Sequence, residues 1–262
     1  MVELVSPLVP HDNESGRRGL VPEFVATAEV LRGLGIAGDG PETFVFSDGS
    51  KAELEPVPAG QVAGALGSST TPLATTHDPV WLRRLDDTQW LTTLERGRVV
   101  YLGYRVTTDS TFELAQRLER MARKPSVRRV IVDVRLNHGG DNTTYNPLLE
   151  VLSKPAIGRK TVVLLGRMTF SAAGNFVADV DRHTKARFVG EPSGGAPSQW
   201  GDSTTVLLPR AGLTVRVATA YWEFGPPGDE RAATVPDVRV EPTAADFFTG
   251  RDPVLARALA LR

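Results

Sequence analysis

The chain has 262 residues, 41% hydrophobic and 23% charged, with a net charge of −1. This composition is ordinary for a globular protein, and without a basic block it excludes a polyelectrolyte surface for nucleic acid. The absence of cysteine excludes disulfides, a thiol nucleophile and Cys-based metal sites.

Residues 1–60 read as a small α/β module. Pro22 is placed to open a helix whose apolar residues are Phe24, Val25, Ala28, Val30 and Leu31, with Gly33 and Gly35 near its end. Thr43–Phe46 and Ala52–Val57, joined through Asp48-Gly49, read as a β-hairpin. Residues 61–79 are rich in Gly, Ser, Thr and Pro and read as a linker. The start at Met1 has neither the basic residues nor the apolar core of a signal peptide. Its abruptness suggests that a leader or further domain precedes it.

Residues 80–262 carry an α/β pattern. Val99–Val106 reads as a strand, and Ser110-Thr111-Phe112-Glu113 as a capping box opening a helix through Leu114, Leu118 and Met121. Val130–Val134 is a short apolar strand of the kind covered on both faces. A helix over 146–153, a strand over 161–165, a helix after Ser171 and a strand over 187–190 follow. Residues 203–224 read as antiparallel strands turning at Pro209–Gly212, and Pro253–Leu261 as a terminal helix. The fold class is therefore α/β: a largely parallel central sheet with flanking helices and antiparallel C-terminal strands, plus the small N-terminal α/β module. No apolar run reaches the length of a transmembrane helix. The compartment is left open.

Ser171 sits where the strand Thr161–Leu165 has ended and the pattern Phe176, Val177, Val180 begins a helix. Free N–H groups and the positive end of the helix dipole at such a junction can hold a developing oxyanion. A serine there is also a common helix N-cap. Two further loops follow strands: Asp133–Asn142, which contains Gly139-Gly140, and Val189–Asp202. Gly139 and Gly140 allow close backbone approach to a substrate, or form a plain turn. In open α/β sheets ligands bind at the carboxyl ends of strands, so the three loops are expected to converge. His11, His77, His138 and His183 show no metal-binding spacing, and neither metal nor cofactor is expected.

These loops resemble the S41 serine peptidases, the tail-specific or C-terminal-processing proteases. Asp133, Arg135, Asn137, Gly139 and Gly140 match the family's Asp-x-Arg-x-Asn-x-Gly-Gly. Thr169, Ser171 and Ala172 match Thr-x-Ser-Ala, and Gly190, Glu191, Pro192 and Gly195 match Gly-Glu-Pro-Thr-x-Gly, with Ser193 in place of Thr. Val235-Pro236-Asp237-Val238 resembles the family's Pro-Asp element. The resemblance implies a ClpP/crotonase-like core, a peptide or protein substrate, and attack by Ser171 through an acyl-enzyme. It implies that the oxyanion is held by the N–H groups of Gly139 or Gly140 and of Ala172. The family often carries a PDZ domain, of which residues 1–60 would be a partial relative.

One departure is chemical. Where the family has its dyad lysine, this chain has Ala196, and its five lysines (Lys51, Lys124, Lys154, Lys160 and Lys185) all lie outside the third loop. Some relatives, including the tricorn-type group, use histidine with carboxylate support. The substitutes considered are His138 as base, Asp202 orienting a base or a water, and His77 folding over from the linker. His183 fits a structural role at a helix end, and Glu191 a role in supporting its loop. Two readings stay open: a serine peptidase with a base other than lysine, or a catalytically impaired peptide- or lipid-binding protein on the same scaffold. The sequence leaves the oligomeric state open.

Overall fold

The computed structural model describes residues 1–46, 48–54, 79–84 and 86–261; of Leu54 only the backbone is described. Most of the linker, His77 included, lies outside them. In chain order the elements are α1 (Val2–Val5), α2 (Glu14–Ala26), α3 (Ala28–Gly33), β1 (Glu42–Val45), β2 (Lys51–Leu54), β3 (Gln89–Leu94), β4 (Val99–Tyr104), α4 (Phe112–Ala122), β5 (Arg129–Asp133), α5 (Asn146–Ser153), α6 (Pro155–Gly158), β6 (Thr161–Leu165), α7 (Ala172–His183), β7 (Arg187–Gly190), β8 (Ser198–Leu208), β9 (Leu213–Glu223), β10 (Val238–Arg239), α8 (Ala244–Phe248) and α9 (Pro253–Leu259).

Six strands form the central sheet in the order β10-β7-β6-β5-β4-β3. The pairs from β4 to β7 and on to β10 are parallel, and only the β3–β4 edge is antiparallel. Sequential parallel strands joined by right-handed crossovers place their connecting helices on one face. Accordingly Val100, Leu102, Val130, Val132, Val163 and Leu165 pack with residues of α4, α5 and α7 in one core. The alternate residues Val99, Tyr101, Ile131, Val162, Leu164 and Val189 face the other way and are covered by Val254, Leu255 and Ala258 of α9. Burial on both faces is why β5 and β6 read as nearly unbroken apolar runs. The fold class is the one the sequence indicates. The antiparallel strands β8 and β9 form their own two-stranded ribbon, however, rather than finishing the sheet.

The N-terminal module has its own small core of Val5, Val9, Val21 and Leu31. Its main helix starts earlier than Pro22 indicates. The Asn13 side chain caps the Gly16 N–H at 2.8 Å, so α2 begins at Glu14 and Pro22 lies inside it. The helix breaks at Thr27 instead. The module docks on the core through its first turn. Asn13 Nδ2 donates to Ser193 O (3.1 Å) and Ala232 O (2.7 Å), and Ser15 Oγ to Pro192 O (2.6 Å). Gly16 allows this approach: a Cβ there would lie 2.5 Å from Gly194 O. The capping box at Ser110–Glu113 does not form; Thr111 occupies the N-cap of α4 without a side-chain cap bond. The Thr111 hydroxyl donates instead to Thr144 O at 2.9 Å, tying α4 to the loop before α5.

Candidate active site

The loops after β5, β6 and β7 leave the carboxyl ends of three adjacent parallel strands. Buried hydrogen bonds join them. Thr169 Oγ1 donates to Val134 O (2.9 Å), Phe170 N to Asn137 O (3.1 Å) and Gly194 N to Thr169 O (2.9 Å). The first loop is anchored from below by a buried ion cluster. The Arg135 guanidinium meets Asp133 at 2.6 Å and Asp252, the N-cap of α9, at 2.8 Å. Tyr101 Oη also donates to Asp133 at 2.6 Å. Burial alone would raise the Asp133 carboxyl, but the charge and hydrogen bonds of Arg135 win and hold it below its usual range.

Ser171 is the N-cap residue of α7, yet its side chain caps nothing. Its backbone lies at φ 54°, ψ −130°, a conformation that costs a non-glycine residue about 1–3 kcal/mol. A capping serine instead takes extended backbone angles and accepts a hydrogen bond from the first turn. Here the hydroxyl has no hydrogen-bond partner among the described residues.

Gly139 packs against this elbow. At φ +101°, a Cβ on Gly139 would lie 2.7 Å from Ser171 Cβ and 2.8 Å from Ala172 N. The Gly139 N–H is already committed, donating to Asn137 Oδ1 at 2.9 Å. Asn137 is fully buried, and its Nδ2 donates to Tyr104 O at 3.1 Å. The N–H groups of Gly140 and Ala172, by contrast, have no acceptor among the described residues.

Ser171, Gly140 and Ala172 line a cavity of about 380 Å³, with Asp202, Trp200 and Trp222 from the base of the β8–β9 ribbon on its far wall. Gln199 and Asn175 also line it. Gln199 Nε2 donates to Ser171 O at 3.0 Å, while Gln199 Oε1 and Asn175 Nδ2 are buried without partners among the described residues.

Neither a lysine, an arginine nor a histidine is among the described residues lining this cavity; its ionisable groups are Asp141 and Asp202. Asp141 is spent on the Thr143 hydroxyl (2.7 Å) and N–H (2.9 Å), which lower its pKa. The Asp202 side chain is exposed and has no partner among the described residues, and its backbone takes the left-handed region at φ 48°. His138 lines a different cavity, with His11, Leu20, Met168 and Phe170. No hydrogen bond joins it to Ser171, and burial pushes its imidazole pKa down against the pull of Glu23. Lys160 lies at the opposite end of β6, donating to Ala122 O at 2.6 Å. The structure therefore brings Ser171, Gly140, Ala172 and Asp202 around one cavity, with Gly139 behind it and His138 beyond. Asn137, Asn175 and Gln199 were not singled out from the sequence by chemistry of their own.

No protein-family model and no curated protein matches the chain. Among solved structures it is similar to a candidate peptidase from Parabacteroides merdae, with 17% identity, TM-score 0.49 and coverage of 88% of this chain and 81% of that one. It is also similar to the photosystem II D1 C-terminal processing protease (19%, TM-score 0.46, 64% of this chain and 54% of that one). A third is a candidate S41 protease from Bacteroides fragilis (10%, TM-score 0.43, 84% and 64%). The chain thus spans about half of the D1 protease and under two thirds of the Bacteroides protein. Similarity at these levels assigns no chemistry to this chain.

Proposed function

We propose that this chain is a serine-type peptidase of the S41 kind, with Ser171 as nucleophile and a base other than lysine. The observation that carries the reading is the strained Ser171 elbow, its hydroxyl and the two N–H groups beside it all without partners among the described residues. Ser171 Oγ adds to a peptide carbonyl carbon, and the carbonyl oxygen becomes an oxyanion held by the Gly140 and Ala172 N–H groups. Collapse expels the amine, which takes up the proton removed from Ser171, and leaves an ester on Ser171; water then adds to the ester and releases the acid and the free serine.

The hydroxyl proton needs an acceptor. Asp202 is the carboxylate on the cavity wall without a committed side-chain partner, and we assign it that role through an intervening water. A carboxylate is a weaker base than an imidazole, so the expected enzyme is slow. The absence of imidazole and amine from the described cavity wall favours a second reading, a peptide-binding protein that has lost turnover.

Intact-mass analysis after incubation with a fluorophosphonate decides between them. One adduct on the wild type that is missing from Ser171→Ala supports the peptidase, and slower labelling of Asp202→Asn supports the assigned base. No adduct on folded protein leaves the binding reading.

A further inference from the structure

The second cavity, of about 550 Å³, lies beside the Ser171 cavity and is lined mainly by apolar surface. Its size falls in the range of about 300–1,000 Å³ typical of small-molecule sites. Three stretches of chain pass from one cavity to the other. His138 lines the second cavity and Gly140 the first; Phe170 lines the second and Ser171 the first; Gly194 lines the second and Gln199 the first. The partition between them is therefore the contact of Gly139 with Ser171, where a Cβ on Gly139 would sit 2.7 Å from the serine Cβ. The elbow lies on a seam with a polar cavity on one side and an apolar one on the other.

The outer wall of the apolar cavity comes from the N-terminal module. Leu20 of α2 faces Met168 and Phe170 across it. The helix is brought close by Gly19, where a Cβ would lie 2.8 Å from Met168 Sδ, and by the contact of Gly16 with Gly194. The ionisable groups on the walls are His11, Asp12, His138 and Arg167. Arg167 is paired with Glu191 at 2.6 Å and lies 3.8 Å from Glu241. Burial raises the Asp12 carboxyl, with His11 opposing, and lowers the His138 imidazole, with Glu23 opposing. The mainly apolar lining favours an apolar occupant, which is stabilised by removal from water.

We propose that this cavity receives a large apolar side chain, aromatic or Leu/Met, from a peptide that crosses the seam over Ser171. On this assignment Leu20, Met168 and Phe170 determine specificity. The N-terminal module becomes part of the substrate site, since its helix supplies one wall. The assignment rests on the reading of the Ser171 cavity as a peptide site, but not on Ser171 being an active nucleophile.

The test is calorimetric titration of the full chain carrying Ser171→Ala with blocked alanine tetrapeptides in which one position at a time is Phe, Leu, Asp or Lys. The expected result is one position at which Phe or Leu binds at least tenfold more tightly than Ala, Asp or Lys. Filling the cavity with Leu20→Trp should abolish that preference. Met168→Phe, from the opposite wall, should do the same if the helix variant folds poorly. Equal binding of all peptides, no binding at millimolar concentration, a preference for Asp or Lys, or a preference that survives both filled variants each overturns the proposal. Because the titration uses Ser171→Ala, a missing fluorophosphonate adduct on the wild type removes the peptidase reading without touching this result.

Discussion

The Cα of Gly139 lies so near Ser171 that a single added methyl would sit 2.7 Å from the serine Cβ. The glycine is required twice over, by that contact and by φ +101°. Gly139→Ala is expected to destabilise the fold by about 1–3 kcal/mol from backbone strain alone, and to shift the Ser171 elbow. Urea melts measure the first effect and loss of fluorophosphonate labelling the second. Wild-type labelling in the alanine variant would show that the contact does not position the serine.

Ser171 itself is expected to be a site where function is held against stability. Ser171→Gly relieves the strain of φ 54° and should be more stable than Ser171→Ala by on the order of 1 kcal/mol, after the entropy glycine gains in the unfolded chain is subtracted. Both variants lose the nucleophile. Equal melting curves for the two would mean that this backbone carries no strain.

Acid should unfold the protein through Asp133. Its carboxyl titrates lower in the folded state than in the unfolded chain, so its contribution is complete above the unfolded value of about 3.9. That contribution drains away as pH falls through the lower folded value. Denaturant melts between pH 2 and 7 should show stability falling in that window, and a shallower fall in Asp133→Asn. Removing the cation instead, by Arg135→Ala, strands two buried carboxylates and is expected to cost about 3–5 kcal/mol at neutral pH. An unchanged acid slope in Asp133→Asn would assign the transition to other groups.

The outer ribbon should be the least protected strand pair. Beyond Asp202, paired residues Val206–Val215 and Leu208–Leu213 share one face, and all four are exposed. A two-stranded ribbon without a covered face is marginal in water. Amide hydrogen exchange should be fastest in residues 203–218 and slowest in β5 and β6, whose residues are almost all buried. Protection in the ribbon equal to that of the central sheet would show that something covers it in solution.

Strands β6 and β7 and helix α5 coincide with the spans read from sequence because continuous apolar runs and clear periodicity mark buried elements. Strand β3 was not legible: Gln89–Leu94 alternates with threonines at the sheet edge and carries no such run. In α2, a capping asparagine outweighed the proline signal, since a cap bond starts a helix while an interior proline only weakens it. The grouping of Ser171, Gly140, Ala172 and Asp202 followed from loop order on a parallel sheet. The separation of His138 from Ser171 did not. His138 and Gly140 line different cavities across one glycine of positive φ, and a turn of that kind leaves no mark on residue spacing. The unpaired Gln199 and Asn175 atoms were likewise invisible, because long-range packing decides which polar groups end up buried.

Asp252 caps α9 through the Leu255 N–H at 2.9 Å and grips Arg135 with the same carboxylate, across 117 residues of chain. Arg129, at the start of β5, also donates to the carbonyls of Ala258 and Leu261. Closing contacts so distant in sequence costs more chain entropy than closing local ones. During synthesis, β5, β6 and the serine elbow leave the ribosome well before the helix that fastens the glycine loop beside them. The glycine loop therefore stays unfastened on the nascent chain until α9 has been made and has folded back.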